Sequence, residues 1–419
     1  MMKEKIKIGY IGLGRRGTHV LKHSYSQMPD VEVSMLCDLS WNRMENAKQI
    51  VLENAGNEPR LTADYREVIN CPELDAIVIM IGWSGRPQMA MESMRAGKYT
   101  AIEVGCADTL DECFDLIRTY EETGMPLMML ENCCYGRREM MALRLVKEGL
   151  FGEIVHCTGG YHHYLNEEDL FKGIDTDEIP HYRIGHYERT NRENYPTHEL
   201  GPISKVLSIN RGNRMVRLSS FASKSVGLKH YASKLFGEDS KHAQKDYKQG
   251  DIVNTIITCA GGETIQLTLD TTLPRAYYSR NFSVRGTMGM SSEEGHVVYF
   301  PEMGKKVMNN EEEMFAKYDH PLHAEYVAKG VKEGHGGMDW LVNRAFVESV
   351  KRGINTPIDA YDTVAWMAIG PLSEQSIAAS GAPVEIPDFT NGKWMSREPV
   401  VACKYCLDEI CEDLDTSVT

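Results

Sequence analysis

Through the first 130 residues, short uninterrupted apolar runs take turns with segments whose apolar positions recur every three or four residues. The runs predict strands buried on both faces, and the recurring positions predict amphipathic helices. Residues 5–12, 31–37, 76–81, 99–104 and 127–130 read as strands. Residues 18–28, 41–55, 64–69, 87–96 and 110–123 read as helices. Alternation of this kind predicts a doubly wound parallel sheet, an α/β architecture whose ligands bind beyond the carboxyl ends of the strands. That rule gathers Asp38, Gly82-Trp83-Ser84, Glu103-Val104 and Asn132 around one crevice.

The pattern changes after residue 136. Residues 137–148 read as a helix stopped by Gly149. Strand-like runs then follow at 153–159, 215–222, 252–259, 264–271 and 282–286, separated by long polar stretches, and helices are predicted at 339–351 and 363–380. This predicts a second, α+β domain around a largely antiparallel open sheet, dividing the chain into 1–135 and 136–419. A length of 419 residues suits two domains.

Composition narrows the function classes. With 46 basic and 60 acidic side chains the net charge is −14, so nucleic-acid and anionic-membrane binding are not expected. No apolar run reaches the ~18 residues of a membrane span. Met1-Met2-Lys3-Glu4-Lys5 leads straight into the first strand without a signal-peptide pattern, so a cytoplasmic location is expected. Eleven cysteines in so long a chain do not make a disulfide scaffold. Cys133-Cys134 and the Cys403, Cys406, Cys411 group lack the four ligands of a zinc site, and no metal is expected. Glu311-Glu312-Glu313 reads as a solvated surface segment.

The first strand ends in Gly12-x-Gly14-x-x-Gly17, a helix follows, and the second strand ends at Asp38, 21 residues beyond Gly17. Gly12 permits the tight turn, Gly14 lets backbone N–H groups approach a pyrophosphate, and Gly17 lets helix and strand pack closely. The helix N-terminus adds partial positive charge. These parts in this order predict a Rossmann dinucleotide-binding domain. Asp38 can accept from a ribose diol and would repel a 2′-phosphate, which favours NAD. Arg15 and Arg16 stand beside the loop and could pair with a phosphate, so these residues alone leave NADP open.

A second cluster lies between the first two strands of the second domain. Tyr161-His162-His163-Tyr164 is followed by His181, Arg183, His186, Arg189 and Arg192, then by Tyr195-Pro196-Thr197-His198-Glu199. Buried cores rarely gather so many titratable groups. The combination suits a sugar-like ligand: His for proton transfer, Tyr for acid work or hydrogen bonds, Arg for fixing oxygens.

The Gly12–Gly17 loop, Asp38, the strand end at Glu103 and the domain order resemble the glucose-fructose oxidoreductase/inositol dehydrogenase (Gfo/Idh/MocA) family. More narrowly, Leu130-Glu131-Asn132-Cys133-Cys134-Tyr135, Gly159-Gly160-Tyr161, Asn194-Tyr195-Pro196-Thr197-His198-Glu199-Leu200-Gly201-Pro202, Ile209-Asn210-Arg211-Gly212 and His335-Gly336-Gly337-Met338-Asp339 resemble glycoside hydrolase family 109, the NAD-dependent α-N-acetylgalactosaminidases. Dehydrogenases of the wider family carry Glu-Lys-Pro where this chain has Glu103-Val104-Gly105. The glycosidases lack that lysine too. Their Trp-x-Trp-His is Trp83-Ser84-Gly85-Arg86 here.

The resemblance implies a redox route in place of the usual carboxylate pair. Hydride leaves C3 of the sugar for NAD, the C2 proton becomes acidic, the C1–O bond is eliminated, water adds at C1, and hydride returns. It implies proton transfer by His198 assisted by His163, and substrate contacts from Tyr161, Tyr195 and Arg183. It places Tyr278 near C1, with Tyr277 as the alternative. Gly12, Gly14, Arg15, Arg16, Asp38, Trp83, Arg86, Glu103, Val104 and Asn132 are expected at the cofactor. The expected partner is a small glycoside, in a homo-oligomer. A NAD-dependent sugar dehydrogenase with net oxidation and a non-catalytic NAD-binding protein are the competing readings; Val104 disfavours the first, and the Tyr/His/Arg density the second.

Overall fold

The computed structural model describes residues 3–166, 170–174, 181–331, 334–400 and 403–411. Met1 and Met2 of the N-terminal segment lie outside them. The first unit runs β1 (Ile6–Ile11), α1 (Arg15–His23), β2 (Val31–Cys37), α2 (Trp41–Ala55), β3 (Arg60–Thr62), α3 (Tyr65–Ile69), β4 (Ala76–Ile79), α4 (Arg86–Arg95), β5 (Tyr99–Ile102), α5 (Leu110–Thr123) and β6 (Leu127–Met129). Its six strands pair in parallel in the order β3-β2-β1-β4-β5-β6. The chain leaves β1 toward β2 on one side and reaches β4 on the other, so the strand order reverses at β1/β4 and opens a crevice at their carboxyl ends.

Local chemistry fixes the helix ends. Ser40 caps α2 by accepting from Arg43 N. Thr109 and Glu112 form a reciprocal capping box on α5, and Gly124 closes that helix in the left-handed region (φ +64°). β3 escaped the sequence reading because Arg60-Leu61-Thr62 is a three-residue edge strand with Thr62 as its one buried side chain.

The second unit continues with α6 (Arg137–Lys147), β7 (Ile154–His162), α7 (Tyr182–Arg189), α8 (Thr197–Val206), β8 (Met215–Ala222), α9 (Gly227–Phe236), β9 (Ile252–Cys259), β10 (Thr264–Asp270), β11 (Ser283–Gly286), β12 (Met290–Ser292) and β13 (Val297–Tyr299). It ends with α10 (Glu311–Tyr318), α11 (Pro321–Lys329), α12 (Met338–Arg352), α13 (Ala360–Met367), α14 (Ile369–Ala378) and β14 (Val384–Glu385). Eight strands form one sheet in the order β13-β12-β11-β7-β10-β9-β8-β14, antiparallel except for β7 with β10. Helices α8 and α14 cover one face. The other leaves Phe221 and Ile256 exposed on neighbouring strands.

The expected helix 363–380 is two helices. Pro371 has no N–H to give the Met367 carbonyl, which disfavours one continuous helix there. That carbonyl accepts instead from Ala107 N of the first unit (3.2 Å). A second tie is Asp30, which pairs with Arg344 and Lys351 of α12 at 2.6 Å each. Burial would raise the Asp30 carboxyl, but these two cations bring it down to about 2. Glu311 departs from the solvated reading: it opens α10 partly buried, paired with Arg138. All eleven cysteines are free thiols. Among the described residues no helix is long and apolar enough to cross a membrane.

Candidate active site

The glycine loop fits a dinucleotide. Gly12 sits at φ +98°, and a Cβ there would lie 2.8 Å from the Met80 backbone. A Cβ on Gly17 would lie 2.1 Å from the Gly12 carbonyl, whereas one on Gly14 meets nothing within 4 Å. The turn is therefore closed on its inner side and open where phosphates would approach. Asp38 immediately follows β2 and accepts from Leu13 N (2.7 Å) and Ser40 N (2.9 Å), so it braces the loop as well as bordering the crevice.

Arg16, the second residue of α1, turns away from any 2′-phosphate role. Its Nε lies 3.2 Å from Glu103, and its Nη1 and Nη2 donate to Asp339 at 2.5 and 2.8 Å. Asn132, expected at the cofactor, also donates to Asp339 (2.8 Å), and His335 Nδ1 lies 2.9 Å from it. Burial acts to raise the Asp339 carboxyl, and Arg16 and His335 overcome it, holding the group well below the usual range. The His335–Asp339 segment is thus an anchor of the second unit on the glycine loop. Arg15 is exposed at the helix start.

The substrate side is built by one strand, one helix and one returning loop. Successive side chains on β7 alternate faces. Tyr161 and His163 therefore share the inner face, with Tyr161 Oη and His163 Nδ1 2.9 Å apart. His162 and Tyr164 point elsewhere, Tyr164 against Tyr231. Gly159 lets α8 lie directly on β7, because a Cβ there would be 2.3 Å from the Glu199 Cβ. That close approach sets His198, in the first turn of α8, over Tyr161 (ring centroids 5.4 Å) and beside Tyr195 (4.7 Å). A bridge between His162 and Ser279 brings the Arg275–Arg280 loop alongside. Tyr278 is the tyrosine that reaches the cluster, 6.2 Å from Tyr161 and 5.3 Å from His163, while Tyr277 is exposed beside Arg275.

Arg183 lies 4.5 Å over the Tyr195 ring, its Nη1 3.5 Å from Tyr161 Oη. Tyr195 and Tyr161 are 4.3 Å apart, and Trp83 of the first unit lies 6.2 Å from Tyr195, so the cofactor crevice and the aromatic cluster are contiguous. Arg192 keeps this loop in place: it donates to Asn194 Oδ1 (3.0 Å), pairs with Asp108 (3.3 Å), and its carbonyl accepts from Gln249. It is scaffold. So is His186, buried between Trp83 (4.8 Å) and Asp108 (3.5 Å), where burial pushes its imidazole below the usual range.

Glu131 belongs to the Leu130–Tyr135 motif, and the sequence alone assigns it no role. It is fully buried and its Oε1 lies 2.8 Å from His198 Nδ1. Burial would raise its carboxyl; the His198 imidazole, the Thr197 hydroxyl and the Cys133 amide reverse that and leave it below the usual range. An ionised Glu131 accepts a hydrogen bond from Nδ1–H, which makes Nε2 the lone-pair nitrogen of His198. Its position at the end of a core strand, immediately before Asn132, was the available signal. Glu131, Cys133 and His198 also bring three potential metal-ligand atoms within 4.8 Å. The Glu131–His198 hydrogen bond already uses one atom of each.

Two family models match the chain: the oxidoreductase family NAD-binding Rossmann fold over residues 6–131, and the glycosyl hydrolase 109 C-terminal domain over residues 135–396. A Tannerella forsythia protein named alpha-N-acetylgalactosaminidase is 36% identical, covering 95% of this chain and 89% of its own. A glycosyl hydrolase family 109 protein of Stenotrophomonas maltophilia is 38% identical, covering 95% and 92%. Among solved structures, a levoglucosan dehydrogenase in complex with NADH and levoglucosan has a TM-score of 0.68 at 17% identity, over 92% of this chain and all of that one. A likeness at that identity concerns the fold.

Proposed function

The chain belongs to glycosyl hydrolase family 109, whose NAD-binding Rossmann domain it carries, and from that membership we propose that it hydrolyses α-N-acetylgalactosaminides or related glycosides through transient oxidation at C3. The observation that carries this reading is the Glu131–His198 pair set among Tyr161, Tyr195 and Tyr278 at the edge of the cofactor crevice, with Val104 in place of an amine.

NAD, bound through the Gly12–Gly17 loop and Asp38, supplies a reversible hydride acceptor. The remaining work falls to this chain's side chains. His198 takes a proton at C2 or at the C3 hydroxyl through Nε2, while Glu131 fixes the ring and stabilises its charged form. Tyr161, with His163 at its hydroxyl, and Arg183 hold the sugar oxygens. Tyr278, half-exposed at the mouth, gives a proton to the departing C1 oxygen and later helps a water add there. Trp83 and the paired tyrosine rings keep bulk water from the reacting carbons. In the same reading the chain assembles as a homo-oligomer through the open sheet face bearing Phe221 and Ile256.

The test is a p-nitrophenyl α-N-acetylgalactosaminide incubated with the NAD-loaded protein, with nitrophenol and NADH followed together. Nitrophenol should accumulate over many turnovers while NADH stays flat. NADH rising in step with substrate loss, without nitrophenol, would make the protein a sugar dehydrogenase instead.

A further inference from the structure

Five arginines are buried among the described residues: Arg86, Arg183, Arg192, Arg211 and Arg280. Three have carboxylate partners. Arg192 pairs with Asp108, Arg211 with Asp359 and Asp362, and Arg280 with Glu139 and Glu199. The other two, Arg86 and Arg183, have none among the described residues, and both border the Trp83 indole. Arg183 lies 5.7 Å from its ring. Arg86 Nη2 and Trp83 Nε1 converge beside Gly105, where a Cβ would lie 2.8 and 2.1 Å from them. The one hydrogen bond the Arg86 guanidinium makes among the described residues is a 3.5 Å contact to the Ile81 carbonyl.

A buried guanidinium without a counter-charge is strongly disfavoured, and two of them at one indole more so. Nearby carboxylates are already engaged: Glu103 with Arg16, and Asp108 with Arg192. The dinucleotide phosphates belong at the glycine loop and α1, whereas Arg86 opens α4. Among the described residues no other carboxylate serves them, so the neutralising charge is assigned to what enters the aromatic cluster.

We propose that the substrate of this site carries an anionic substituent on its sugar, a carboxylate, sulfate or phosphate, which Arg86 and Arg183 neutralise beside Trp83. This rests on the glycosidase reading for the reaction, but it is tested by binding alone, so the two can fail separately. Calorimetry of the NAD-loaded protein would compare D-galactose with D-galacturonate, galactose 6-sulfate and galactose 6-phosphate. At least one anionic sugar should bind about 10- to 100-fold tighter than galactose, as a charge-assisted contact gives, and whichever wins identifies the group. Arg86→Met should reduce that preference to roughly 3-fold or less. Without sugar, Arg86→Met should also melt higher than the native protein, since an unneutralised buried charge has been removed. A structural arginine would melt lower when replaced. Arg86→Lys keeps the charge and should keep most of the preference. Galactose binding as tightly as all three anions would overturn the proposal. So would a preference that survives Arg86→Met, or a selective loss of NAD binding in that variant.

Discussion

Replacing His198 by alanine lowers kcat by about 10²- to 10⁴-fold, the range of a lost general acid–base group, and leaves NAD affinity unchanged. The separation follows from where the residue sits. His198 belongs to α8, which Gly159 admits onto β7, and its contacts are Glu131, Tyr161 and Tyr195. The cofactor loop is braced by Asp38 and by Arg16 with Glu103 and Asp339. Glu131→Gln should fall nearly as far although His198 remains. A glutamine amide can donate to Nδ1, which moves the imidazole proton to Nε2 and removes the base, and it cannot stabilise an imidazolium. Steady-state kinetics together with NAD calorimetry on both variants checks this. Native turnover in either one removes the pair from the mechanism.

Asp38→Ala weakens NAD binding by about 10- to 100-fold, the worth of one or two hydrogen bonds to a charged group. Its carboxylate holds Leu13 N at 2.7 Å and Ser40 N at 2.9 Å, so the variant loses the brace on the glycine loop together with the acceptor for the ribose diol. NADP should lose less than NAD, because the change removes the charge that repels a 2′-phosphate and releases Arg43, which lies 3.9 Å from the Asp38 carboxylate. Calorimetry with each dinucleotide reads both numbers, and an NAD affinity equal to the native one would place the ribose elsewhere.

The first unit was legible because its signals are local. A strand buried on both faces has to be an apolar run, and the glycine loop carries its chemistry in consecutive residues. Asp38 ends a strand at the spacing that fold demands. What the pattern missed is short or depends on distant partners. β3 is three residues at a sheet edge. The break between α13 and α14 follows from Pro371 but is visible as a junction only once Ala107 takes up the Met367 carbonyl.

The site divides in the same way. Tyr161 and His163 share a face by strand alternation, and His198 was singled out by its motif. Trp83 joins the tyrosine cluster because two units meet there. Glu131 and Asp339 look ordinary in the sequence. Their importance comes from partners 67 and 323 residues away, His198 and Arg16, and no window of residues contains both ends. The choice of Tyr278 over Tyr277 likewise depends on the His162–Ser279 bridge.

The account depends on carbon–hydrogen bonds at C3 and C2 opening and closing again during a hydrolysis that leaves the sugar's oxidation state unchanged. The direct test is turnover in D₂O, with protiated and 3-deuterated α-N-acetylgalactosaminide compared side by side. The account predicts slower turnover of the deuterated glycoside and solvent deuterium at C2 of the released sugar. Equal rates for the two glycosides, with a C2 that carries no solvent label, would contradict it.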